Sequence, residues 1–61
     1  MTDIIATLEA SGFQVEERES VCWITREASR WGGVYVAHDS LRHEHAQGTL
    51  VEYVRDFLVA S

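Results

Sequence analysis

Thr49-Leu50-Val51-Glu52-Tyr53-Val54-Arg55-Asp56-Phe57-Leu58-Val59-Ala60 is the stretch whose reading decides the fold. Thr49 followed three residues later by Glu52 has the form of a capping box, in which each side chain satisfies a free backbone N–H at a helix start. At about 100° per residue, Leu50, Val51, Tyr53, Val54, Phe57 and Leu58 fall on one arc of roughly 160°, with Glu52, Arg55 and Asp56 opposite. So broad a stripe on so short a helix needs a flat apolar layer to lie on, and the preceding residues supply one.

Moving toward the N-terminus, residues 39–48 (D-S-L-R-H-E-H-A-Q-G) are polar, with Leu41 as the one large apolar anchor. Asp39 or Ser40 can cap a helical turn there, and Gly48 ends it. Residues 34–38 (V-Y-V-A-H) alternate as a strand, with Val34 and Val36 on one face and Tyr35 on the other. Residues 27–33 (E-A-S-R-W-G-G) break the pattern and read as a loop punctuated by Gly32-Gly33. Residues 21–26 (V-C-W-I-T-R) are rich in β-formers, and residues 13–18 alternate again. A two-residue turn at Glu19-Ser20 sets Val15 opposite Ile24 and Glu17 opposite Cys22. Phe13, Val15, Cys22 and Ile24 then share one face, and Glu16, Arg18, Val21 and Trp23 the other. The turn lacks the glycine of a type I′ or II′ hairpin, and a longer turn would slip the register by one and bring Trp23 inward. Residues 3–11 form a first helix, capped by Thr2, with Ile4, Ile5 and Leu8 on one side and Gly12 past its end.

The order is helix, three strands, helix. Short hairpin connections favour a single α+β domain over residues 1–61, a two-layer α-β-β-β-α arrangement with a three-stranded antiparallel sheet and two helices on one face. Its expected inner layer is Ile4, Ile5, Leu8, Phe13, Val15, Cys22, Ile24, Val34, Val36, Leu50, Val54, Phe57 and Leu58. Sixty-one residues lie near the lower size limit for an unstapled core, so a marginal monomer or a partner-assisted fold is expected.

Ten acids face five arginines, with no lysine, for a net charge of −5. Residues 1–27 hold six of the acids and two arginines, so the negative charge is concentrated in that half. Phosphate affinity comes mostly from Lys and Arg contacts, so direct nucleic-acid binding is not expected. A basic protein surface is the better electrostatic match. The single cysteine, Cys22, rules out an intrachain disulfide and a thiolate metal cage; in its apolar run it reads as a small buried hydrophobe. There is no basic, apolar leader and no run of ~20 apolar residues, so the expectation is a cytoplasmic protein without membrane contact.

Few residues point to chemistry. His38, His43 and His45, with Asp39 and Glu44, are the one cluster of metal-ligand type, but His43 and His45 diverge on a helix and a specific site needs three or four convergent ligands. They read as surface histidines; a metal-dependent or pH-sensitive role is the sharper alternative. Glu16, Glu17 and Glu19 at a hairpin tip read as solvated carboxylates rather than an acid–base pair. No serine or cysteine has a plausible catalytic base near it in sequence. Neither a catalytic site, nor a cofactor site, nor a metal site is expected. Trp23, Tyr35 and Val21 on the outer sheet face, rimmed by Glu16 and Arg18, are of the residue types that dominate interface hot spots, and an apolar patch with a charged rim marks contact sites. Arg30 and Trp31 on the 28–33 loop extend that surface. The expected partner-binding set is therefore Glu16, Glu17, Arg18, Glu19, Trp23, Arg30, Trp31 and Tyr35.

The α-β-β-β-α order resembles that of double-stranded-RNA-binding domains. That family carries a lysine-rich cluster at the start of its last helix and a histidine-bearing loop between its first two strands. Here those places hold Gly48-Thr49-Leu50-Val51-Glu52 and Glu19-Ser20, so the resemblance does not carry RNA binding with it. In size, acidity and lack of enzymatic motifs the whole chain also resembles the small acidic anti-CRISPR inhibitors encoded by phages. That resemblance implies a larger bacterial partner such as a Cas effector subunit, whose basic nucleic-acid-binding surface is blocked by charge mimicry or by bulk, and a location in the bacterial host cytoplasm. The alternative is a homodimeric structural or regulatory domain that pairs through the same outer face.

Overall fold

The computed structural model describes residues 1–26 and 32–60. Helix α1 (Thr2–Ala10) leads into strands β1 (Phe13–Glu17), β2 (Val21–Arg26) and β3 (Val34–Ala37), followed by helices α2 (His38–Gln47) and α3 (Leu50–Ala60). The three strands form one antiparallel sheet in the order β1-β2-β3. The α+β architecture with its antiparallel sheet is the one expected from the alternation and the helical stripes.

The hairpin register is the two-residue solution: Val15 pairs with Ile24, Glu16 with Trp23 and Glu17 with Cys22. The Arg18 N–H donates to the Val21 carbonyl at 2.9 Å and closes the turn. No non-glycine residue described has positive φ, so Glu19-Ser20 turns without the left-handed backbone that primed hairpins use. Outside support compensates. The His38 N–H donates to the Ser20 carbonyl at 3.0 Å, and the His38 imidazole Nε2 lies 3.1 Å from the Val21 carbonyl oxygen. A carbonyl only accepts, so Nε2 carries the hydrogen of that bond.

Residues 38–48 differ from the sequence reading. In place of one helical turn in a polar stretch there is a ten-residue helix starting at His38. Its N-cap, Ala37, has extended backbone and offers no side-chain cap, so neither Asp39 nor Ser40 plays the capping part. Leu41 and His38 are its buried residues. Gly48, at φ 76°, ends it in a Schellman arrangement: Gly48 N–H to His45 carbonyl at 3.1 Å and Thr49 N–H to Glu44 carbonyl at 3.0 Å. That left-handed position suits a residue without Cβ, and it lets α3 begin with only two residues between it and α2. The Thr49 hydroxyl, expected to serve its own helix in a capping box, donates to Glu44 Oε1 at 2.7 Å. At the other end of the chain Thr2 is already inside α1, and Met1 occupies the N-cap position.

The core is Ile4, Leu8, Phe13, Cys22, Ile24, Val34, Val36, Leu41, Leu50 and Val54. Fully burying one such side chain contributes roughly 1.5–3 kcal/mol. Ile5, Val15 and Leu58, expected inside, are half-buried. Phe57 is a correction: it is 40% exposed, its ring 5.8 Å from that of Tyr53 on the flank of α3. The α3 helix rests on α1 and α2, and Leu41 of the unforeseen helix joins the core, so the contact holds the centre of the α3 stripe, Leu50 and Val54, and not its edge.

Candidate functional site

Buried and exposed residues alternate strictly along β3 (Val34 and Val36 in, Tyr35 and Ala37 out), and Cys22 and Ile24 face inward from β2. The helices bury the inward face. The outward face has a central row in which Glu16, Trp23 and Tyr35 stand side by side on β1, β2 and β3. Directly opposed cross-strand residues have Cβ atoms about 4.5–5.5 Å apart, close enough for their side chains to act as one surface. The Trp23 and Tyr35 ring centroids are 4.6 Å apart, tilted by 48°, a separation within the range of interacting aromatic pairs. Tyr35 is 58% exposed although it lies on a strand in a sheet, so no described element covers it.

Gly33 explains why the indole can lie down across the sheet. A Cβ there would come within 2.6 Å of Thr25 Cγ2 and 2.7 Å of Trp23 Cε2, so the Trp23 ring occupies the space a side chain would need. On the other side of the indole, toward β1, Gln14, Val15, Glu16, Trp23 and Thr25 line an open groove of about 280 Å³. Glu16 Oε1 is 3.0 Å from Arg18 Nη2, with both side chains about half exposed or more.

The structure thus brings Glu16, Arg18, Trp23 and Tyr35 onto one surface. It places Glu17 elsewhere: one residue along from Glu16, it has the opposite parity, beside Cys22. Glu19 is exposed in the turn. Arg30 and Trp31 lie outside the described residues. Gln14, Thr25 and Gly33 belong to this surface without having been singled out; the period-two parity that placed Trp23 outward also places Gln14 and Thr25 there, whereas the Gly33 contact follows only from the β2–β3 register.

Of the three histidines, His38 is a correction. It is buried, and it braces the hairpin rather than standing on the surface. His43 and His45 are exposed on α2. Among the described residues no three His, Cys, Asp or Glu side chains gather as a metal site would require. Cys22 is buried and free; burial, with the negative charge of Glu17 adding to it, raises its thiol pKa above the ordinary 9.0. A thiol so held is a poor nucleophile near neutral pH. Among the described residues no helix is long and apolar enough to cross a membrane. The chain matches no protein-family model, no curated protein and no solved structure.

Proposed function

We propose that this chain is a binding protein that uses the outer face of its sheet to occupy a basic surface on a larger protein. The observation that carries the reading is the Trp23–Tyr35 pair, 4.6 Å apart on a sheet face with Tyr35 58% exposed. Exposing a packed aromatic pair costs hydrophobic stabilisation that a partner recovers on contact. The net charge of −5 adds long-range attraction to a basic partner and opposes self-association, in which two like-charged copies would meet. The partner class we propose, from the likeness in size and acidity to anti-CRISPR inhibitors, is a nucleic-acid-binding effector such as a Cas subunit, and the action is occlusion rather than catalysis.

Target-DNA binding by purified Cas effector complexes, with and without the protein, tests this directly. Inhibition by the wild type that is lost in Trp23→Ala and in Tyr35→Ala, and that weakens as salt rises, is the expected result. Inhibition that survives both substitutions removes the outer face from the mechanism. Failure to inhibit, together with concentration-dependent dimerisation that Tyr35→Ala abolishes, replaces the inhibitor with a homodimeric domain built on the same face.

A further inference from the structure

We infer that the groove between Trp23 and β1 is a receptor for an arginine side chain of the partner, and that the protein's own Arg18 stands in for that arginine in the free state. The inference deepens the proposed binding role and rests on it for the identity of the partner, but the groove chemistry can be measured without one.

The groove combines three features that suit a guanidinium. One wall is the Trp23 indole, the side chain best able to hold a cation against its π-system, and arginine is the cation most often found there. The facing wall carries the Glu16 carboxylate, directly opposite Trp23 in the sheet register, which can accept a pair of parallel N–H bonds from the guanidinium fork. Gln14 and Thr25 add polar groups at the same outward parity, and the space of about 280 Å³ is open to solvent, so a side chain can enter from above the sheet.

Arg18 already makes the expected contact: its Nη2 is 3.0 Å from Glu16 Oε1. With side-chain exposures of 49% for Arg18 and 62% for Glu16, that pair is solvated, and such pairs contribute little to stability. It is exchangeable. A partner arginine reaching Glu16 competes with Arg18 for one carboxylate and gains the indole contact besides. Arg18 therefore keeps the carboxylate partnered while the groove is vacant, and lowers its apparent affinity for an incoming guanidinium. A groove of this composition distinguishes arginine from lysine, because an ammonium neither forks onto a carboxylate nor lies flat against an indole.

The test is a titration of the full chain with N-acetylarginine amide, followed through the Trp23 indole N–H resonance by two-dimensional NMR. N-acetylcitrulline amide, the uncharged isostere, and N-acetyllysine amide serve as comparisons. The expected result is a saturable shift with arginine, weaker binding of lysine and no saturation with citrulline. Glu16→Gln should weaken arginine binding, and Arg18→Ala should tighten it by about two- to fivefold, the size of one exposed cation contact. Tightening in Arg18→Ala separates a placeholder from a merely structural arginine, whose removal would leave affinity unchanged or lower it. Equal response to arginine and citrulline, equal response to lysine, or no gain in Arg18→Ala overturns the inference. If it fails while Trp23→Ala still abolishes effector inhibition, the docking face stands and only its arginine specificity is lost.

Discussion

Two single residues connect the sheet to the helical layer in ways a list of apolar contacts does not capture. His38 holds the β1–β2 turn through both its backbone N–H and its imidazole, against the Ser20 and Val21 carbonyls. His38→Ala removes the imidazole bond and leaves a small cavity, while the Val21 carbonyl keeps the Arg18 N–H. The expected cost of the lost bond is about 0.5–1.5 kcal/mol, read as a lower urea midpoint; an unchanged midpoint means the turn stands on its own backbone. Cys22 gives the protein a pH dependence of known sign. Its thiol titrates higher in the folded chain than the ordinary 9.0, so the native state holds the proton more tightly than the unfolded one. Stability is therefore at its full value below the ordinary thiol range and falls as the pH rises from about 9 through the raised native pKa. Cys22→Ala should flatten that alkaline limb of the stability profile while lowering stability throughout, because it also leaves a cavity. A slope unchanged in the variant assigns the alkaline loss to another group.

At the scale of elements, α2 shows where sequence reasoning stops. Among residues 39–48 only Leu41 is a large apolar residue, and the second buried position, His38, is polar and falls on the last residue expected of β3. A two-point contact of this kind gives no periodic stripe to detect, and the helix starts from Ala37 without a side-chain cap. Its formation depends on what surrounds it: Leu41 in the core, His38 on the hairpin and Gly48 turning the chain into α3. The missing cap is a place to gain stability. Ala37 is exposed and has the extended φ of −62° and ψ of 143° that N-cap residues adopt, so Ala37→Ser should stabilise the protein by about 1 kcal/mol, seen as a higher thermal midpoint. The hairpin, by contrast, was legible as two strands and a turn. Alternation on both strands allowed two registers, one for a two-residue turn that faces Val15 to Ile24 and keeps Trp23 outward and one slipped by a longer turn, and the structure has the first. Phe57 was misplaced because a helical wheel gives the width of an apolar stripe but not the width of the surface that receives it.

For the molecule as a whole, charge and topology pull in different directions. Ten carboxylates against five guanidiniums, with the described ion pairs Glu16–Arg18 and Asp39–Arg42 both on the surface, leave net repulsion that acts against compaction. Raising sodium chloride from 10 mM to 300 mM should therefore raise the thermal midpoint while weakening attraction to any basic partner. A midpoint that falls over that range means that attractive pairs outweigh the repulsion. The candidate surface was legible as far as parity reaches: Glu16, Trp23 and Tyr35 share a row because outward residues of paired strands must. The close approach of Trp23 to Gly33 was not, since the loop before β3 left the pairing of β3 with β2 open.

Keeping every helix on one side of the sheet also divides the positions of the chain by what constrains them. Inward residues are fixed by close packing, whereas Gln14, Glu16, Thr25 and Tyr35 face outward beside them, each separated by a single position in sequence from a neighbour that packs inward. Substitution at those outward sites leaves the core untouched. A combinatorial library randomised there, with Trp23 and Gly33 retained, should stay folded while its recognition properties diverge, so that one scaffold can follow a partner that changes faster than the scaffold does.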